Sequence, residues 1–278
     1  MTPAFRGAWL QMRTFAGKTV LITGASEGIG RALAHELAGE RANLVLAARD
    51  AARLEEAAAA CRARGAQIET VAMDVARPQD CRDCVARAVQ RFGGLDALVN
   101  NAGITMWARF DAVTDFSVYE RLLAVNYLGA VHMTAAALPY LKASRGLVVA
   151  VASIAGLTGV PERTGYAASK HAMVGFFESL RIELAGSGVD VTIVAPDFVV
   201  SQIHRRATGA DGRPLGRTPM QETRIMSAER CAQLIAAGMR ARRRLLITSA
   251  RGRLGRWARL VAPRLVDATS ARAIRERR

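Results

Sequence analysis

The sequence predicts an α/β fold, a doubly wound parallel sheet of about seven strands with helices on both faces. Between residues 18 and 248, short runs of Val, Ile, Leu and Ala alternate with longer stretches of helical periodicity, the rhythm of repeated βαβ units. The first of these runs passes directly into a glycine-rich turn that opens a helix. With 278 residues, 51% of them hydrophobic and only 5% aromatic, the chain can bury one large core built mainly from Ala, Val and Leu.

Residues 18–23 read as the first strand, and Gly24-Ala25-Ser26-Glu27-Gly28-Ile29-Gly30 follows at once. Gly24 permits a tight turn, Gly28 lets backbone approach a diphosphate, and Gly30 lets the helix start close to the strand. Ser26 and Ile29 belong to the same turn, where the N–H groups of a helix start favour an anion. Ile29, Leu33 and Leu37 then form one helical stripe. The second strand, 43–48, ends before Arg49. An acid at that end would take the ribose hydroxyls of NAD, whereas an arginine suits the extra phosphate of NADP, and Asp50 comes one place too late. NADP(H) is the preferred cofactor on this reading, and NAD(H) the alternative.

A helix over 51–64, a strand over 67–73, a helix over 78–92 and a strand over 95–100 continue the alternation. Asp74 and Val75 follow the third strand; the carboxylate would accept from an adenine amino group or simply hold a turn. Asn100-Asn101-Ala102-Gly103 ends the fourth strand in small turn formers against which a cofactor can lie. The helix expected over 115–141 carries Asn126 among Leu122, Val125, Leu128 and Val131. A buried amide is costly unless satisfied, so Asn126 ties strand backbone together, holds a water, or both.

A strand over 147–152 delivers Ser153 to its carboxyl end, where ligands bind in open α/β sheets. After a glycine-bearing loop over 154–163, a helix runs to about residue 184 with Tyr166 and Lys170 on one face, one turn apart. A nearby ammonium favours phenolate over phenol, so this pair can act as an acid or base near neutrality. A strand over 190–195 closes at Pro196, and 197–226 is rich in glycine and proline, as a lid over a binding site would be. A helix over 227–240 and a strand over 244–248 complete the sheet.

These motifs, in this order over residues 17–248, resemble the short-chain dehydrogenase/reductase family. Thr23 to Gly30 is similar to its cofactor loop, Asn100 to Gly103 to its N-N-A-G element, and Asn126, Ser153, Tyr166 and Lys170 to its catalytic set. The resemblance implies a Rossmann-type sheet ordered 3-2-1-4-5-6-7 and a homodimer or homotetramer built on the helices bearing Asn126 and Tyr166. It implies that Tyr166 exchanges a proton with a carbonyl or alcohol and Lys170 lowers its pKa while holding the nicotinamide ribose. Ser153 would orient the carbonyl and Asn126 hold a relay water. Gly24, Ser26, Gly28, Ile29, Gly30, Arg49, Asp74, Val75, Asn101, Ala102, Gly103, Tyr166, Lys170, Pro196, Val199 and Ser201 would contact the cofactor. One departure stands out: the family's Pro-Gly after the sixth strand is here Pro196-Asp197, with Ser201 for the usual threonine.

Ile104, Met106, Trp107, Ile154, Leu157, Val160, Phe198, Val199 and Ile203 are the candidate pocket, an apolar lining suited to a hydrophobic ketone, aldehyde or alcohol. Cys61, Cys81, Cys84 and Cys231 form neither a disulfide framework nor a zinc set and read as helix residues, so no metal is expected. Residues 1–16 lack the apolar core of a secretory signal, and the longest uncharged run, 146–161, is too short to span a bilayer. A cytoplasmic protein, at most membrane-associated, is expected. The net charge of +15 is concentrated from residue 240 onward, where thirteen arginines face Asp267 and Glu276 for +11, leaving 15 − 11 = +4 elsewhere. That distribution, without a recognised reading module, argues against nucleic-acid binding. Residues 250–278 form a basic tail whose helix, ending at Pro263, sets Leu254, Trp257, Ala258 and Val261 against Arg253, Arg256 and Arg259. Such a helix can lie on an anionic bilayer, cover the pocket or meet a partner subunit.

Overall fold

The computed structural model describes residues 14–218, 220 and 225–275. Most of the expected extension over 1–16, part of the lid and the last three residues lie outside the described residues. The elements alternate as the apolar periodicity requires. β1 (Thr19–Thr23), α1 (Gly28–Ala38), β2 (Asn43–Ala48), α2 (Ala51–Arg62), β3 (Gln67–Ala72), α3 (Pro78–Phe92) and β4 (Ala97–Asn100) come first. They are followed by α4 (Ser117–Leu123), α5 (Gly129–Ser144), β5 (Leu147–Val151), α6 (Thr164–Glu183), β6 (Asp190–Ala195), α7 (Ala228–Arg240), β7 (Leu245–Ile247), α8 (Ala250–Val261) and α9 (Pro263–Arg275).

The seven strands form one parallel sheet ordered β3-β2-β1-β4-β5-β6-β7. Strand order reverses between β1 and β4, whose Val20 and Ile22 pair with Ala97 and Val99. A crevice at the carboxyl ends of such strands is where this topology takes ligands. Both faces are covered. Leu33 and Leu37 of α1, Leu54 of α2 and Ile235 of α7 pack on one side, with Val20, Ile22 and Leu46 beneath them. Cys84 of α3, Met133 of α5 and Phe177 of α6 pack on the other, over Leu21, Leu98 and Val148. Cys81 and Cys84 thus belong to the buried face of α3, and burial pushes their thiols up to about 11 and about 12.

The helix expected over 115–141 is two helices joined by a π-helical turn, Ala124–Leu128, which carries Asn126. By length and composition Ser117–Ser144 could cross a membrane, but Leu122, Met133, Ala137 and Leu141 are fully buried in the protein's own core. The tail also differs from expectation. Pro263 starts α9 instead of ending the helical region, consistent with proline's fitness for the first helical position.

Candidate active site

The crevice between β1 and β4 is tied by side chains where the strand ladder stops. Thr23 Oγ1 donates to Val99 O at 3.2 Å and accepts from the N–H groups of Asn101 and Ala102, each at 3.0 Å. Asn101 Nδ2 donates to the carbonyls of Thr23 at 2.9 Å and Gly24 at 3.2 Å. Gly24 has φ +65°, and a Cβ on Gly30 would lie 2.3 Å from Gly24 O, so the turn closes only with glycine at both places. Glu27 gives the start of α1 no side-chain cap, which leaves its first N–H groups to an anion. The cradle therefore fits a dinucleotide diphosphate, with Ser26 and Ile29 half-buried in the turn. Ser201 comes down from the lid onto Gly28, where a Cβ would meet the serine Cβ at 3.2 Å.

At the adenosine side, Arg49 is exposed at the end of β2. Asp50 is engaged as the cap of α2, its Oδ1 accepting from Arg53 N at 3.1 Å. Asp74 Oδ1 accepts from Ala76 N at 3.0 Å, the turn-holding role that the sequence also allowed. Val75 is buried against Gly129, so its side chain packs α5 onto the sheet.

The four residues expected to be catalytic converge on the same end of the sheet. Tyr166 and Lys170 sit one turn apart on α6, 8% and 3% exposed. Lys170 Nζ donates to Val151 O at 2.9 Å, which locks α6 to β5 just before Ser153. Burial, and then the charge of Arg163, lower the Lys170 ammonium to about 7. Ser153 Oγ accepts from Ala155 N at 3.1 Å. Asn126 Nδ2 donates to Ile104 O at 3.0 Å and Ser169 Oγ at 2.9 Å, and its Oδ1 accepts from Ile104 N at 2.8 Å. Both amide donors are thus spent on joining the loop after β4 to α6. Only the second lone pair of Oδ1 is left for a water.

The candidate pocket residues separate into two groups. Ile104, Trp107, Ile154, Leu157, Val160, Phe198 and Ile203 are half-buried, and the Trp107 and Phe198 rings share the Arg163 guanidinium with the ring of Tyr166. Met106 and Val199 are not pocket walls. Met106 is fully buried in a cluster with Val118 and Leu122, and Val199 packs with Val194 and Ala228. Loop pairing accounts for both: Met106 bridges Thr208, and Val199 bridges Met226. Pro196 accepts Ile154 N at 2.9 Å, holding the pocket loop to β6.

Three features were not read from the sequence. Arg163, three residues before Tyr166, is buried with its guanidinium carbon 4.4 Å from the Tyr166 ring centre. Arg206 of the lid makes two 2.9 Å bonds to Glu27 in the glycine turn. Asp197, the departure from the family pattern, accepts from Ser249 Oγ at 2.8 Å and from Arg251 at 2.7, 2.9 and 3.1 Å. It therefore ties the start of α8 to the end of β6. Gly252 of α8 then lies against Ile154, and Arg259 donates to Leu157 O at 2.5 Å. The only sequence signal was that aspartate and an arginine lay far apart in the chain, which spacing cannot pair.

Comparison with known proteins agrees with this geometry. The short chain dehydrogenase family matches residues 18–211. A protein of Arabidopsis thaliana named 11-beta-hydroxysteroid dehydrogenase 1A is 38% identical over 258 residues, 90% of this chain and 74% of its own. A short chain dehydrogenase/reductase from Burkholderia phymatum, solved in complex with NAD, superposes with a TM-score of 0.80 at 28% identity over 91% of this chain and 96% of its own. An alcohol dehydrogenase from the archaeon Thermococcus sibiricus, complexed with 5-hydroxy-NADP, superposes with a TM-score of 0.71 at 25% identity over 83% and 94%. A glycine turn at the switch point of a parallel sheet, with Tyr166 and Lys170 beside it, places the chain in the short-chain dehydrogenase/reductase family, as an oxidoreductase that acts on hydroxyl groups with a nicotinamide cofactor.

Proposed function

We propose that the protein interconverts a hydrophobic ketone or aldehyde and its alcohol with NADP(H), using Tyr166 as general acid and base. The observation that carries this reading is the Lys170 bond to Val151 O, which brings the Tyr166 helix against the strand that leads into Ser153. Tyr166 gives a proton to the carbonyl oxygen in reduction and takes it back in oxidation. Ser153 orients that oxygen. Lys170 holds the ribose beside the nicotinamide, and Asn126 steadies Ile104 and accepts from a relay water. The nicotinamide, when bound, supplies or takes up the hydride.

NADP(H) is favoured because Arg49 is exposed where an extra phosphate would lie, while Asp50 is committed to capping α2. Gly24, Gly28, Gly30, Asn101, Ala102 and Gly103 would cradle the dinucleotide, with Ser201 closing over it. A hydrophobic substrate follows from the half-buried apolar side chains, and the hydroxysteroid dehydrogenase names of relatives at 38% identity point the same way. A panel of apolar ketones and alcohols, followed by nicotinamide absorbance with both cofactors, tests the reading. Turnover with NADPH but weakly with NADH is expected; a clear preference for NADH overturns the cofactor choice.

A second copy is expected on α4, α5 and α6, where Leu123, Tyr140 and Ile182 respectively are exposed, with Leu128 in the turn between the first two. The tail adds a bilayer contact. Leu254, Trp257, Leu260 and Val261 are 68–81% exposed among the arginines of α8, a basic amphipathic surface suited to anionic lipid. Sedimentation with phosphatidylserine vesicles should pellet the full chain more than a chain ending at Ser249. Equal pelleting removes the lipid contact.

A further inference from the structure

We infer that Arg163 is a substrate-recognition residue and that the substrate carries a carboxylate close to its reacting carbon; this rests on the oxidoreductase reading above. Arg163 is 5% exposed. Its guanidinium carbon lies 4.4 Å from the ring centre of Tyr166, 5.1 Å from Trp107 and 5.7 Å from Phe198. Those rings come from α6, the loop after β4 and the loop after β6, so the guanidinium sits where the three walls of the substrate end meet.

Its hydrogen bonding is incomplete. Nη2 donates to Thr105 Oγ1 at 2.5 Å, and Nε is buried without a partner. Among the described residues no carboxylate is ion-paired with Arg163. The adjacent acid, Glu162, instead accepts from Trp107 Nε1 at 2.9 Å. A guanidinium keeps its charge at every physiological pH, and a buried charge without a counter-ion is strongly unfavourable. Three aromatic faces offset part of that cost, because the negative face of each ring attracts the cation.

Pinning the loop to α6 through Thr105 calls for one neutral donor, not a charge. The remaining donors and the charge match a carboxylate, which binds guanidinium at about 2.7–2.9 Å. Because the guanidinium stacks on the same ring whose hydroxyl meets the reacting oxygen, a carboxylate held there lies only a few bonds from the carbonyl. The apolar walls then accommodate the rest of the molecule.

The test compares benzoylformate and benzoylpropionate with their methyl esters, using the full chain and NADPH. The acids should be reduced with kcat/KM about tenfold or more above their esters, as expected where a buried polar group is otherwise left unpaired. Arg163→Met should bring the ratio to about one, chiefly through KM, and Arg163→Lys should retain part of it. Esters equal to or better than acids, or a ratio unchanged in Arg163→Met, overturns the assignment. Should Arg163→Met not fold, the parent ratio and Arg163→Lys decide. Failure to turn over either member of a pair counts against the oxidoreductase reading itself, and binding then decides the role of Arg163. A rise in Tm with millimolar benzoylpropionate in the parent but not in Arg163→Met supports it, and no rise in the parent overturns it.

Discussion

The two ends of the crevice are built differently. At the nucleotide end side chains tie two neighbouring strand ends to each other: Thr23 and Asn101 bond across to the facing backbone, and glycine fits where a Cβ would collide. At the substrate end the contacts join loops and the tail, with Arg163 bonded to Thr105 of the loop after β4 and Arg251 of α8 to Asp197 after β6. The first end accepts one shape of ligand. The second is assembled from loops and a tail, and can be changed without disturbing the sheet.

The largest effect should come where the two ends meet. Tyr166→Phe keeps the ring but removes the transferable proton, so kcat should fall by about 10²–10⁴ with the fold retained; turnover near the parent rate, measured by cofactor absorbance, would remove Tyr166 from the mechanism. Gly30→Val should follow, because its Cβ would lie 2.3 Å from Gly24 O and 2.5 Å from Asn101 Nδ2. Overpacking of this kind costs about 1–3 kcal/mol and should abolish cofactor binding. Urea midpoints and NADPH fluorescence titration check both halves of that expectation.

A pH series sharpens the contrast further. Burial lowers the Lys170 ammonium from 10.5 to about 7, so between those values the unfolded chain binds more protons than the folded one. Stability from this group therefore rises with pH across that window; the penalty is complete below about 7 and absent above 10.5. In the absence of cofactor, Lys170→Met should be most favoured over the parent below pH 7 and lose that margin as pH rises. A difference in urea midpoint that stays flat with pH contradicts it.

The smallest effects belong to the tail anchor. Asp197→Ala removes an acceptor used by Ser249, Arg251 and Phe198 N and should cost about 1–2 kcal/mol. Arg251→Ala should cost under about 1 kcal/mol, since the arginine is largely exposed. Both should speed tryptic release of the tail, Asp197→Ala more so. Equal release from parent and variants would mean that α8 is held by its other contacts.

The fold was legible because its signals are local. Continuous apolar runs marked the strands of a sheet covered on both faces, and Gly24, Gly28 and Gly30 fell directly after one of them. Asn126 was legible as a costly buried amide, but not as the centre of a π-helical turn, because the sequence carries the need for partners and not their direction. Met106 and Val199 looked like pocket walls because apolar residues near a site read alike whether they face a ligand or a neighbouring loop. Arg163 was passed over as one arginine among many, and only burial among three rings distinguishes it.

Asp197 gives the tail a fixed bearing. With its first turn fastened at the edge where β6 stops, α8 departs from the body beside the reactive rim, and its direction belongs to the catalytic frame more than to its own amphipathic pattern. Whatever surface settles on α8 consequently meets the protein close to Ile154 and Leu157, two of the candidate pocket residues.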